Sequence, residues 1–75
     1  MTPAQCKSAR GLLSMTRRRL AIAAGVDKST VNDFERSRRQ VSPQAIAAMR
    51  AVLVRAGVVF YLDDGKHHGV AIWNG

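Results

Sequence analysis

Arginines and short hydrogen-bonding side chains crowd one part of this 75-residue chain: Arg17, Arg18 and Arg19, then Lys28, Ser29, Thr30, Asn32 and Asp33, then Arg36, Arg38 and Arg39. Residues 1–40 carry nine Lys/Arg against three Asp/Glu, a net +6 of the chain's +7, while residues 41–75 carry +1. A polyanionic partner should therefore meet the N-terminal half. Arginine predominates, and its planar fork of donors matches phosphate and guanine better than a point charge does. Catalysis is not expected, because no nucleophile, base and orienting group, phosphate loop or metal cluster can be assembled from this inventory. His67 and His68 lack a third ligand, so neither a metal site nor a cofactor is expected. Cys6 is the only cysteine. It cannot form an intramolecular disulfide and reads as a small core or boundary residue.

A chain this short makes one domain, burying only about 60% of the surface its unfolded form would expose. Without disulfide or metal, association with a second copy is the remaining route to further burial. No secretory pattern opens the sequence, and no apolar run approaches the roughly 20 residues needed to span a bilayer. The expectation is a soluble, cytoplasmic protein with no membrane partner.

The elements that must position the basic residues are marked by caps. Thr2-Pro3-Ala4-Gln5 is a capping-box pattern with proline at the first helical position, and it starts a helix running to about Leu13 with Cys6, Ala9 and Leu13 on one side. Thr16 caps a second helix, Arg17 to Ala24, which Gly25 closes in a left-handed conformation. Val26 plugs the turn, and Asp27 caps a third helix with Val31 and Phe34 inward. Ser42-Pro43 starts a fourth, with Ile46, Met49, Leu53 and Ala56 as its apolar stripe and Gly57 as its end. Val58 to Leu62 and Val70 to Trp73 then read as two strands around a polar loop, Asp63 to Gly69. The predicted fold is mostly α: a four-helix unit at 1–57 and a C-terminal β-hairpin at 58–75 within the same domain.

The segment TRRRLAIAAGVDKSTVNDFERSRR, Thr16 to Arg39, resembles the Cro and cI repressor-like helix-turn-helix family, also called the xenobiotic-response-element type. Leu20-Ala21, Ala24-Gly25-Val26, Ser29-Thr30-Val31 and Phe34-Glu35-Arg36 carry the likeness, which extends over about 55 of the 75 residues. Ala21 is small where helices 2 and 3 cross closely, and Gly25 has no Cβ to resist positive φ. The resemblance implies that helix 3, about 27–36, lies in the major groove of double-stranded DNA. Lys28, Ser29, Asn32 and Asp33 would then touch base edges: Lys28 donating to guanine, Asn32 pairing with adenine, Ser29 adapting. Asp33 would accept from cytosine, or instead hold Lys28 or Arg36 in position. Phosphate contacts are implied for Arg17, Thr30, Arg36, Arg38 and Arg39. Arg17 stands where the family commonly has Gln, and Ser37 where it often has Gly. Arg10 and Glu35 resemble the family's interhelical salt bridge, a structural role.

Where many family members continue with a fifth helix, this chain has the hairpin. Alternation puts Val58, Phe60 and Leu62 on one side and Val59 and Tyr61 on the other, leaving no polar face. Val59 and Tyr61, with Ile72 or Trp73 from the second strand, are therefore expected to make a homodimer interface. Such a dimer would present two recognition helices to an inverted-repeat operator as a transcriptional repressor or activator. The alternative is a protein-binding module, an antitoxin or anti-activator, whose hairpin docks on a second protein.

Overall fold

A computed structural model describes residues 1–62 and 68–72. Four helices, α1 (Pro3–Leu13), α2 (Arg17–Ala24), α3 (Lys28–Glu35) and α4 (Pro43–Arg55), precede an antiparallel pair, β1 (Val58–Leu62) and β2 (His68–Ile72). The mostly α fold with a C-terminal hairpin is as the sequence predicts. No helix among the described residues is long and apolar enough to cross a membrane.

The helices begin where their caps place them. In α1 the Thr2 hydroxyl accepts from the Gln5 amide at 3.1 Å while the Gln5 side-chain oxygen accepts from the Thr2 amide at 2.9 Å, completing the capping box. The hydroxyls of Thr16 and Ser42 accept from Arg19 and Ala45 in the same way. Asp27 departs from the expectation: it occupies the N-cap of α3, but its side chain makes no capping bond. Only the Asp27 carbonyl serves there, accepting from the Thr30 and Val31 amides.

Three helix exits share one geometry. At Gly25 (φ 70°) the Val26 amide reaches back to Ala21 O at 3.0 Å, and equivalent back-bonds run from Met15 to Arg10 O around Ser14 and from Arg38 to Asp33 O around Ser37. Ser14 (φ 54°) and Ser37 (φ 53°) thus adopt the left-handed conformation that glycine would take without strain. Ser37, where glycine would be the unstrained choice, makes the left-handed turn at the exit of α3. Gly57 (φ 104°) follows α4 in a conformation that a side chain would resist.

The core lies between α1, α2, α4 and the inner faces of α3 and the hairpin. Leu20, Val31, Met49, Leu53 and Cys6 are fully buried, and Ala21 lets α2 and α3 approach. Val52 on α4 is buried, and Ala56, the residue that caps the helix, is exposed, so the apolar stripe differs from the predicted one at both positions. The hairpin is built into this core: Val58 is buried, and Phe60 and Val70 pack against it. Gln5 fastens the hairpin further, its amide nitrogen donating to Tyr61 O at 3.1 Å and Gly69 O at 3.3 Å. One buried glutamine therefore both caps α1 and docks the sheet.

The second strand begins at His68, two residues before the predicted start, so Gly69 belongs to the strand. The register pairs Val58 with Ile72, Val59 with Ala71 and Tyr61 with Gly69. Directly paired residues share a face, which corrects the expected interface. Ile72 sits on the side of Val58 and Phe60 at the open end of the hairpin, and not with Val59 and Tyr61. A shift of one residue in pairing reverses the side of every residue in a strand, and the periodicity of one strand does not specify its register with another. Tyr61 is 52% exposed and Ile72 37%. The Tyr61 ring covers Gly69, lying 3.6 Å from where a Cβ would be. Trp73 and His67 lie outside the described residues.

Candidate nucleic-acid interface

On α3, a period of 3.6 residues puts Val31, Phe34 and Glu35 inward and Lys28, Ser29, Thr30, Asn32 and Asp33 on the remaining arc. Lys28 and Ser29 are exposed, and Thr30, Asn32 and Asp33 are half-buried. Three of the four expected base-reading residues, Lys28, Ser29 and Asn32, have no side-chain bond to the described part of the chain. Asp33 does. Its carboxylate accepts from Arg39 Nε at 2.8 Å, and Arg39 Nη2 also donates to the Thr30 hydroxyl at 3.3 Å. The expectation that Asp33 holds Lys28 or Arg36 is thus corrected: the left-handed turn at Ser37 swings the chain back so that Arg39 reaches it. Arg36 and Arg38 are exposed and carry no carboxylate partner among the described residues.

Beneath this surface lies a buried charge cluster. The Glu35 side chain has 0% exposure and receives both nitrogens of a bidentate Arg10 fork, Nε to Oε2 at 2.6 Å and Nη2 to Oε1 at 2.7 Å. The expected structural bridge from α1 to α3 is present. Arg10 Nη1 donates to Met15 O at 2.9 Å, so the last turn of α1 is tied into the same cluster. Two further donors were not anticipated. Cys6 Sγ donates to Oε2 at 3.2 Å, and Arg17 Nε donates to Oε1 at 3.1 Å. Arg17, expected at phosphate alone, is therefore half-buried and partly engaged inside. Sequence reasoning paired Arg10 with Glu35 through the family likeness, but no spacing rule links residues 6, 17 and 35, which lie on three different helices.

Burial by itself would raise the Glu35 carboxyl, but hydrogen bonds from Arg10, Cys6 and Arg17 outweigh it and hold the group below the ordinary carboxylate value. The Cys6 thiol is pushed up to about 12 by burial and by the adjacent Glu35 acceptor. Thiolate is the reactive form. Cys6 should therefore resist alkylation by iodoacetamide in the native protein at mildly alkaline pH and react fully on unfolding; native-state labelling at the rate of a free thiol would contradict this. Because the folded value is raised, the stabilisation is complete below the ordinary value of 9.0 and fades as pH climbs toward about 12.

Arg10, Thr16, Arg17, Arg18 and Lys28 line an open cleft where the N-termini of α2 and α3 come together. The cleft joins two of the expected contact residues, Arg17 and Lys28. Thr30, Asp33 and Arg39 form a second cluster further along α3. Among the described residues no group of three metal-ligating side chains comes together. No protein-family model matches the chain, and no curated protein shows significant similarity to it.

Proposed function

We propose that the protein is a sequence-specific regulator that binds double-stranded DNA, with α3 as the element entering the major groove. The observation that supports it most is the state of the outer α3 face. Lys28, Ser29 and Asn32 stand ready to donate and accept on a helix braced by α2 through a tight Gly25 turn, with Arg17, Arg18, Arg36 and Arg38 around it. Flanking cations fix the register of a protein on the phosphate backbone, and uncommitted polar side chains on the helix read base edges. Asp33, occupied by Arg39, serves as a brace for that arginine. Selection of bound sites from a random duplex pool tests the reading, with recovery of a consensus expected. Asn32→Ala should then cost about 1–3 kcal/mol on the selected site and relax base choice at one position. An equal loss on every sequence would remove Asn32 from the reading set.

The same reading includes a homodimer formed by the outer hairpin face, where Val59 is half-buried and Tyr61 exposed. A two-fold pair would place the recognition helices about 34 Å apart, so the selected site should be an inverted repeat with roughly 10 bp between half-site centres. Removing the whole hairpin would also remove Val58 and Phe60 from the core. Tyr61→Glu is the cleaner test, because it charges the outer face and leaves the core untouched. It should convert the dimer to a monomer in sedimentation while the helical circular dichroism persists; a variant that still dimerises would move the interface elsewhere. The second reading, a protein-binding module, draws on the same apolar face and predicts DNA binding indifferent to sequence together with a stable hetero-complex. In either case the place of action we propose is the cytoplasm.

A further inference from the structure

We propose that Glu35 is a positioning residue for duplex binding: by accepting the Nε–H of Arg17, it aims the terminal nitrogens of that guanidinium into the cleft between the α2 and α3 N-termini, where they receive one backbone phosphodiester. The proposal rests on the DNA-binding reading above and assigns Glu35 a task beyond joining α1 to α3.

The guanidinium donors around Glu35 are unequally committed. Arg10 is spent internally, with Nε and Nη2 on Glu35 and Nη1 on Met15 O. It contributes wall to the cleft, and each of its three guanidinium nitrogens already makes an internal bond. Arg17 gives only Nε to the carboxylate, and its two terminal nitrogens have no partner among the described residues. Its side chain is 26% exposed and lines the cleft beside Thr16, Arg18 and Lys28. A guanidinium tethered at Nε to a buried carboxylate that Arg10 already holds has fewer orientations open to it, so less rotamer entropy is lost when the other end takes up an oxyanion. Arg18, next in the chain and exposed, has no such grip among the described residues.

Charge favours the same ligand. Glu35 is balanced by Arg10, so Arg17 retains its positive charge toward the cleft. Arg18 and Lys28 have no carboxylate within ion-pair distance among the described residues. A singly charged, multi-acceptor phosphodiester oxygen pair fits the fork of Arg17.

The test measures binding of the full chain to a random-sequence duplex of roughly 20 bp, about two helical turns, by fluorescence anisotropy at several salt concentrations. Arg17→Ala, Arg17→Lys, Glu35→Gln and the Arg17→Ala/Glu35→Gln pair are compared, with affinity expressed per folded molecule. Arg17→Ala should weaken binding on the order of tenfold, the size of a hydrogen bond between charged groups. Arg17→Lys keeps the charge but cannot hold Glu35 with one nitrogen and phosphate with two others. It should lose most of the same affinity while retaining the wild-type salt slope. Glu35→Gln puts an amide N–H₂ where one of the carboxylate oxygens stood. It should weaken binding in the wild-type background and add nothing in the Arg17→Ala background. An Arg17→Lys variant that binds like wild type overturns the proposal, as does a Glu35→Gln loss of equal size in both backgrounds, which would mark a structural role only. If Glu35→Gln does not fold, Arg17→Lys decides alone. Steep salt dependence with Arg17→Ala unaffected overturns this proposal and leaves the DNA-binding reading standing; wild-type protein that does not bind duplex overturns both.

Discussion

Replacing Glu35 with alanine is expected to destabilise the domain by about 3–5 kcal/mol, the largest effect of any single substitution outside the apolar core. The carboxylate is wholly buried and collects Arg10, Arg17 and Cys6. Removing it leaves the largely buried Arg10 guanidinium uncompensated and strands the Cys6 thiol without its acceptor. Since small domains are stable by only about 5–15 kcal/mol in total, urea unfolding should show a midpoint lowered by at least about a fifth of its wild-type value. A loss below about 1 kcal/mol would mean that the cluster is not the joint it resembles. Changing both partners, Arg10→Met with Glu35→Leu, should recover much of the loss, because a well-packed apolar pair avoids the desolvation cost that the ions carry. The pH dependence has a definite sign. The folded Glu35 value lies below the ordinary 4.5, so its stabilisation is present above that value and lost as pH falls through the lower, folded one. Acid unfolding of Glu35→Gln should lack this component.

Duplex affinity is expected to fall by several hundredfold over a fourfold rise in salt, for example between about 50 and 200 mM. If Arg17, Arg18, Arg36, Arg38 and Arg39 neutralise about five phosphates per protomer, log K against log salt should slope by about −0.9 for each, or roughly −4 to −5. The reason is release of condensed counterions, which charge drives and sequence does not. Arg36→Ala and Arg38→Ala, at exposed positions without carboxylate partners, should each reduce the slope by about one and weaken all duplexes alike. Asn32→Ala should leave the slope unchanged. A flat salt dependence for the wild type would refute phosphate neutralisation as the source of affinity and favour the protein-binding reading.

The α elements were legible because each helix carries its own punctuation. Thr2 with Gln5, Thr16 before Arg17, Gly25, and Ser42 with Pro43 each satisfy or release backbone groups within a few residues, so their meaning survives without tertiary context. The same locality made the inward set of α3 readable, since Val31 and Phe34 follow from helical period alone. The resemblance supplied Arg10 and Glu35 as a pair, and the structure contains that bridge.

What only the tertiary structure decided are the arrangements that depend on distance through space. The pairing register of the hairpin, which moved Ile72 to the core side, is a relation between two strands that neither strand's alternation encodes. Gln5 capping its own helix was local; Gln5 donating to Tyr61 and Gly69 carbonyls required the hairpin to be laid across α1. The diversion of Asp33 to Arg39 followed from a left-handed turn at a serine, a conformation its residue type does not announce. Above all, Arg17 and Cys6 meet Glu35 because α1, α2 and α3 converge on one buried carboxylate. In sequence Arg17 is one of three adjacent arginines of identical chemistry. Burial of a single acceptor beside it makes it different from Arg18 and Arg19, because a carboxylate removed from water holds only the donors that the packing brings within reach.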